Sequence, residues 1–319
     1  MYPPFKITAG SLNLCAEINR LLGRFEGLKG PIPQPQLRKK NRIKTIFSSL
    51  AIEGNQLTEQ QVTDLVNHKR VIGPQKDILE VKNAIMAYDL IHSYKVNRLD
   101  SLLKAHQTLL NSLAEDAGFL RSRNVGIFQG TKVAHMAPKH QLVPKLMGKL
   151  FNFLKRKDNL NPLIKSSVFH YELEFIHPFS DGNGRMGRLW QTVILRKYHP
   201  LFEYIPVESI IREKQKEYYR SLAEADKAGN STRFIEFMLK VILQAVSKLL
   251  VNIRPQVQTA KTRLRSVRDH FQKKLFSRKD YLAFHKDIST ATASRDLLFG
   301  IKHKIINKSG ARALTQYRF

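Results

Sequence analysis

Cysteine is almost missing from this chain: Cys15 stands alone among 319 residues. No intrachain disulfide can form, so stability rests on packing, and the expected setting is a reducing cytoplasm. Cys15 itself reads as an ordinary small apolar residue. No apolar run approaches the length of a membrane span, and Met1–Arg20 lacks a signal-peptide pattern, so no membrane partner is expected. Acidic side chains are scarce, 26 against 54 lysines and arginines, for a formal charge of +28. That balance favours polyanionic partners such as nucleotides, nucleic acid, ribosomes or an acidic protein, without choosing among them. Repeats and low-complexity segments are absent as well. What is present, 42% hydrophobic residues over this length, allows a sizeable core in two or three domains.

The most informative stretch is His177-Pro-Phe-Ser-Asp-Gly-Asn-Gly-Arg-Met-Gly-Arg188. Directly after the glycines, Met186, Leu189, Trp190, Val193 and Ile194 fall at i, i+3, i+4, i+7 and i+8, an amphipathic helix. Gly182-Asn183-Gly184 therefore opens a helix, and helix N-termini attract anions through free amides and the dipole. Arg185 and Arg188 share a face of the first turns and reach one polyphosphate together. A carboxylate beside a phosphate site repels its ligand unless a cation intervenes, which makes Asp181 a ligand for Mg²⁺ on the phosphates. His177 lies just outside the anion hole, placed to take a proton from an attacking hydroxyl.

A rival reading is the dinucleotide fingerprint, because Gly182-x-Gly184-x-x-Gly187 fits G-x-G-x-x-G. Phe169, Tyr171, Leu173 and Phe175 alternate with polar residues as a strand would, and Glu203 lies about 20 residues on, where a ribose-binding acid belongs. Asp181 and two arginines suit a metal–triphosphate better, and repeated strand–helix alternation is missing. Residues 164–176 read equally well as helix, with Asn161-Pro162 as a start signal.

The stretch resembles the motif of the Fic (filamentation induced by cAMP) family, H-x-F-x-[DE]-G-N-G-R-x-x-R, at all eight fixed positions. The resemblance implies a mostly α fold, a Fic-fold helical core with a small β-hairpin flap, and transfer of AMP from ATP with Mg²⁺ to a target protein's hydroxyl. By position, it makes His177 the general base, Asp181 the metal ligand and Gly182, Asn183 and Gly184 the anion hole. Arg185 and Arg188 would hold the β- and γ-phosphates, with Met186 and Gly187 in the same nucleotide-binding run and Phe179 a buried anchor.

Upstream, Ile43, Ile46, Phe47, Leu50 and Ala51 mark a helix that ends at Gly54, a natural C-terminal stop. Thr58-x-x-Gln61 is a capping box for the next. Glu53 sits badly at a helix C-terminus, whose dipole disfavours anions, and so points to a cationic partner. Ser49-x-x-x-Glu53-Gly54 resembles the family's inhibitory motif, [ST]-x-x-x-E-[GN]. By that resemblance Glu53 pairs with Arg188 and keeps the γ-phosphate from seating productively, placing the chain in the N-terminally autoinhibited class.

Three regions are expected: residues 1–100, helical with the inhibitory motif; 101–250, the catalytic core; and 255–319, a winged helix-turn-helix domain. Gly30–Pro35 reads as a stiff connector and Asn252–Thr262 as a hinge. In the core, His106 on an apolar face reads as a satisfied core histidine, and His135 with His140 lacks the cysteines of a zinc site. The hairpin signal at Ile127–Ala134 gives a flap of Gln129, Gly130, Thr131, Lys132 and Val133 for target binding by strand addition. Ile210–Ala225 reads as one helix; within it Tyr218 resembles a family position near the nucleobase, with ordinary packing as the alternative. Glu208 departs from the small polar residue usual in the family. From Asn252 to Phe319 there are 16 lysines and arginines against 4 aspartates. There, Thr292, Ser294 and Arg295 face outward on a recognition helix, and Ile305-Ile306 with Leu314–Tyr317 form a hairpin about a Lys308–Arg312 turn. The partners expected are an unidentified target protein and the chain itself, as substrate of self-modification or in a homodimer. For residues 255–319 the expected role is docking or dimer contacts, since enzymes often reuse this module without touching DNA, with DNA binding as the alternative. A DNA-binding regulator whose core only senses nucleotide, and transfer of UMP or phosphate, also stay open.

Overall fold

The computed structural model describes residues 3–27, 35–129, 132–252, 259–272, 274–286, 288–311 and 315–319. Most of the connector at Gly30–Pro35, most of the hinge, Gly130, Thr131, Arg312 and Leu314 lie outside them. Two compact units result, Met1–Arg254 and Pro255–Phe319.

The first unit begins with α1 (Ala9–Gly27), α2 (Pro35–Ile52), α3 (Glu59–Val66), α4 (Gln75–Asp89) and α5 (Leu99–Leu109). Strands β1 (Gly126–Gln129) and β2 (Lys132–Met136) follow, then α6 (Val143–Lys155), α7 (Pro162–Ile176) and α8 (Asn183–Tyr198). Helices α9 (Val207–Glu213), α10 (Gln215–Ala228) and α11 (Thr232–Asn252) complete it. One cluster of buried side chains runs from Cys15 to Leu249, so residues on both sides of position 100 share a core.

The α7–α8 pair lies at the centre. Residues 164–176 are helix, started by Asn161, whose side chain accepts from the Leu163 amide, with Pro162 in the first turn. A parallel dinucleotide-binding sheet has no counterpart here: the strands among the described residues form two antiparallel pairs. Helix α8 buries Met186, Leu189, Trp190, Val193 and Ile194, the apolar stripe of the sequence. It also buries Asn183, Arg185, Arg188 and Gln191, so polar groups are drawn into the interior on its other side. Such a helix needs partners for every charge it carries inward.

Local signals govern the ends of α2 and α3. Gly54 takes φ +91 after α2, a left-handed turn that glycine adopts without strain. Thr58 and Gln61 exchange the two hydrogen bonds of a capping box. The helix expected over 210–225 is instead two, broken at Lys214 (φ −114, ψ 31). Beyond the break, Gln215 donates to the Ile52 carbonyl at 3.1 Å, an orphan acceptor at the end of α2.

The second unit runs α12 (Ala260–Phe271), α13 (Arg278–Phe284), α14 (Thr290–Lys302), β3 (Asn307–Ser309) and β4 (Gln316–Arg318). Its own core is built from Leu264, Val267, Phe276, Tyr281, Ala293, Leu297 and Ile306. Ser277 and Asp280 cap α13 reciprocally, and Phe276 bridges to Tyr317 beside the antiparallel β3–β4 pair. Ile305 and Ile306 precede β3, which starts at Asn307.

Candidate active site

His177 ends α7 in a left-handed conformation, φ 49 and ψ 61, its amide donating to Leu173 O at 2.9 Å. A non-glycine residue there needs support from its surroundings. Arg121, 3% exposed, supplies it. Its Nε donates to the His177 carbonyl at 2.7 Å, and its terminal nitrogens donate to Pro138 O at 2.5 Å and Arg123 O at 2.8 Å. The Arg121 amide donates to Pro178 O at 2.9 Å. No carboxylate is among these partners, so the cation rests on carbonyl dipoles, including the C-terminal end of α7. Burial pulls the Arg121 guanidinium below its ordinary range. The Pro138 and Arg123 contacts also tie the stem of the β1–β2 hairpin to the histidine.

The loop after His177 is closed from inside. Asn183, 2% exposed, accepts from the Phe179 amide and donates to the Phe179 carbonyl, both at 2.9 Å. The Phe179 ring is fully buried and stacks on His106 at 3.7 Å between centroids. His106 has both ring nitrogens in use, with Gly118 N–H donating to Nδ1 at 2.9 Å and Nε2 facing Asp181 O at 3.0 Å. An accepting Nδ1 leaves the proton on Nε2, the neutral tautomer. Burial, partly countered by the Asp181 carbonyl and neighbouring acids, lowers its pKa. Gly182 takes φ +83, and a Cβ there would come within 2.6 Å of Leu110.

Beyond Gly182, the first amides of α8 have no intrahelical acceptors. Around them the charged residues are brought together. Arg188, its side chain 1% exposed, donates to Glu53 Oε1 at 2.6 Å, Ser49 O at 2.9 Å and Ser49 Oγ at 3.1 Å. Burial weakens the guanidinium's hold on its proton, Glu53 together with Tyr218 and Glu174 more than offsets that, and the pKa is raised. The Glu53 carboxylate lies over Gly184, where any Cβ would collide with it. Arg185 donates to Asp181 Oδ1 at 2.8 Å and to Glu80 Oε1 at 3.3 Å. Its Nε is buried without a hydrogen-bond partner.

Asp181 also accepts from the Gly182 amide at 2.5 Å. Burial raises its pKa, and the Arg185 charge with these hydrogen bonds brings it below the usual carboxylate range. The side chain is 57% exposed, a single hard oxygen donor at the edge of the cleft. That donor fits Mg²⁺, which is commonly held by one or two carboxylates plus substrate phosphates.

Other expected site residues are placed elsewhere. Met186 is fully buried, its side chain packing in the core, and its amide donates to Gly182 O at 2.9 Å. Gly187 is needed for helix approach, since a Cβ would sit 2.7 Å from His170. Tyr218, 1% exposed, packs against Phe234 and places its hydroxyl 3.1 Å from His170 Nε2, leaving no open ring face for a base. Glu203, the acid of the dinucleotide reading, pairs with Arg196 at 2.9 Å. Of the hairpin, Gln129 pairs with Lys132 and Val133 with Phe128. His140 contacts Asn124, and no group of three metal-ligating side chains occurs among the described residues.

Sequence reasoning missed two participants and marked a third, Glu208, only as a departure from the family pattern. Glu80 shares Arg185 and accepts from Asn55 at 2.9 Å. Arg121, just upstream of the hairpin, has its partners at residues 123, 138 and 177. Glu208, 1% exposed, accepts from Tyr88 at 3.1 Å and Thr192 at 3.3 Å, while its second oxygen is unpartnered. Burial pushes its pKa up to about 7. A charged residue off its helix's apolar stripe is the sole trace such groups leave in one sequence.

The profile of the Fic/DOC family matches residues 97–195. A protein adenylyltransferase Fic of Nematostella vectensis is 29% identical over 236 residues, covering 70% of this chain and 52% of its own length. The chain thus spans about half the length of that relative. A Fic-domain signaling protein from Bacteroides thetaiotaomicron shares the fold at 21% identity, with a TM-score of 0.62 over 72% of this chain and 95% of its own. The crystal structure of a Fic family protein from Desulfovibrio desulfuricans G20 superposes with a TM-score of 0.77 at 39% identity, covering all of this chain and 98% of that one. With that match running end to end through the motif loop and both compact units, the chain belongs to the Fic family.

Proposed function

We propose that this chain is an autoinhibited protein adenylyltransferase, moving AMP from ATP to a Ser, Thr or Tyr hydroxyl of a target protein and of itself. The observation that carries the reading is Glu53. Its carboxylate is held 2.6 Å from Arg188 and directly over Gly184, where an incoming phosphate would meet the start of α8. An acid parked on an anion site is stabilised by the same features that recognise phosphate, and it must leave before a triphosphate can seat.

In the released state Arg185 and Arg188 hold the β- and γ-phosphates, and the Asn183 and Gly184 amides stabilise charge on the α-phosphate. The target oxygen bonds to the α-phosphorus as the bond to pyrophosphate breaks, and His177 takes the hydroxyl proton. Asp181 would hold Mg²⁺, which neutralises phosphate charge when bound. Exchanging Arg185 for that ion is the adjustment required of it. The flap at Gln129–Val133 would align an extended target segment, its stem fixed to His177 through Arg121. With Tyr218 in the core, nucleobase selection falls to other residues, and UMP or phosphate transfer remains the competing chemistry.

The test is incubation of wild type, Glu53→Gly and His177→Ala/Glu53→Gly with α-labelled ATP, with GTP, UTP and γ-labelled ATP as controls. Protein label from α-labelled ATP, strong in Glu53→Gly and absent once His177 is replaced, is the expected outcome. Label from the γ position would replace adenylyl transfer with phosphoryl transfer.

A further inference from the structure

The second compact unit carries charge for which nucleotidyl transfer has no use. Between Pro255 and Phe319 stand 15 lysines and arginines against four aspartates and no glutamate. The two aspartates whose side chains are described are both spent inside the unit. Asp296, 2% exposed, is gripped by Arg263 at 2.5 and 2.8 Å and by the Tyr281 hydroxyl at 3.0 Å. Asp280 closes the capping box of α13. Little negative charge is left to balance exposed cations such as Arg265, Arg268, Arg278, Lys302 and Lys308.

Helix α14 displays this imbalance on a free face. Inward it packs Ala293, Leu297 and Gly300, the last so closely that a Cβ would lie 2.9 Å from Ile306. Outward, Ala291, Arg295, Leu298 and Lys302 form an exposed stripe, with Leu298 at 65% exposure. Thr290 is exposed in the first turn, and Arg278 reaches over from α13 to Ser294 Oγ at 3.2 Å. The helix's one acid, Asp296, is turned inside.

The order of a helix, a short turn, a second helix with a free face and then a hairpin is that of a winged helix-turn-helix. A helix about 10–12 Å across fits the major groove of B-DNA, which is about 12 Å wide. Single-stranded RNA is usually bound by stacking bases on exposed aromatics, and the outer stripe of α14 has none.

We propose that the unit at residues 255–319 binds duplex DNA, with the N-terminal half of α14 in the major groove. Thr290, Ser294 and Arg295 face base edges, Arg295 being suited to guanine, while Arg278 and Lys308 meet the phosphates. This function is independent of adenylyl transfer and survives or fails apart from it.

The test uses the full chain and a fluorescent random-sequence duplex, with anisotropy followed from about 0.05 to 0.2 M salt. Arg278→Glu/Arg295→Glu is compared with Lys227→Glu/Lys240→Glu, which makes the same charge change at exposed positions of the first unit. The first pair is expected to weaken binding more than about tenfold and to flatten the salt slope by about two; the second changes affinity less than about twofold. Equal weakening by both pairs would reduce the effect to net-charge attraction and overturn the proposal. So would absence of duplex binding at the lowest salt, or a preference for polyglutamate over duplex, which would make the partner an acidic protein.

Discussion

Replacing Glu53 should raise activity and lower stability together, an opposition that few other mechanisms produce. Arg188 is buried at 1% side-chain exposure and Glu53 lies at 34%, joined at 2.6 Å. A charge-assisted hydrogen bond contributes about 1.5–3 kcal/mol. With one partner a third open to water, about 1.5–2 kcal/mol is the defensible share. Losing that competitor for Arg188 corresponds to roughly a 10–30-fold gain in the fraction of molecules able to seat a triphosphate. The same loss leaves a buried guanidinium with only the two Ser49 oxygens, so Tm should fall by about 3–8 °C. Glu53→Gly measured for initial labelling rate at subsaturating ATP and for Tm without nucleotide gives both numbers. Glu53→Gln, which keeps the reach but not the charge, should fall between it and wild type. If Tm drops while labelling stays level or declines, Glu53 is only a structural partner of Arg188 and the inhibitory reading is wrong.

Two more outcomes follow from buried charges. Arg121→Lys, made in the Glu53→Gly background, cannot span carbonyls from residues 123, 138 and 177. It should cost about 10–100-fold in kcat with ATP affinity within about twofold, because His177 is misplaced while the phosphate site is intact; a loss confined to ATP affinity would contradict this. Glu208 titrates near 7, above the ordinary 4.5. Its folded form therefore holds the proton more tightly, and stability declines as pH rises from about 4.5 through about 7, by about 3 kcal/mol. Glu208→Gln should flatten the fall in Tm over that window relative to wild type, and an unchanged slope would mean that the carboxyl is not the titrating group.

How much of this was legible in the sequence depends on the range of the interaction. The α8 start, the Gly54 stop and the capping box at Thr58 depend on neighbours a few residues apart, and each appears as a local pattern. Helix 164–176 was ambiguous because its buried side chains nearly encircle it, so neither a period of 2 nor one of 3.6 dominates. Met186, Gly187 and Tyr218 were assigned to the nucleotide by their place in a motif. In the fold Met186 and Tyr218 are buried and Gly187 lies against His170, and that packing has no local signature.

The two residues left unread in the site, Glu80 and Arg121, share one property: each satisfies a polar group of a motif helix that the fold brings inward. Arg185 enters with α8 and requires an acid from α4, which Glu80 supplies across 105 positions. His177 holds a left-handed turn at the end of α7 whose carbonyls need a donor, and Arg121 provides it from 56 positions away. In both cases the motif residue is visible because its spacing to its neighbours is fixed, while its partner is constrained only in space. Glu53 is the exception, since it sits at a helix C-terminus where an anion is disfavoured, and that local misfit is itself a signal. A long-range partner becomes readable from one sequence when it violates a local rule, and Glu80 and Arg121 violate none.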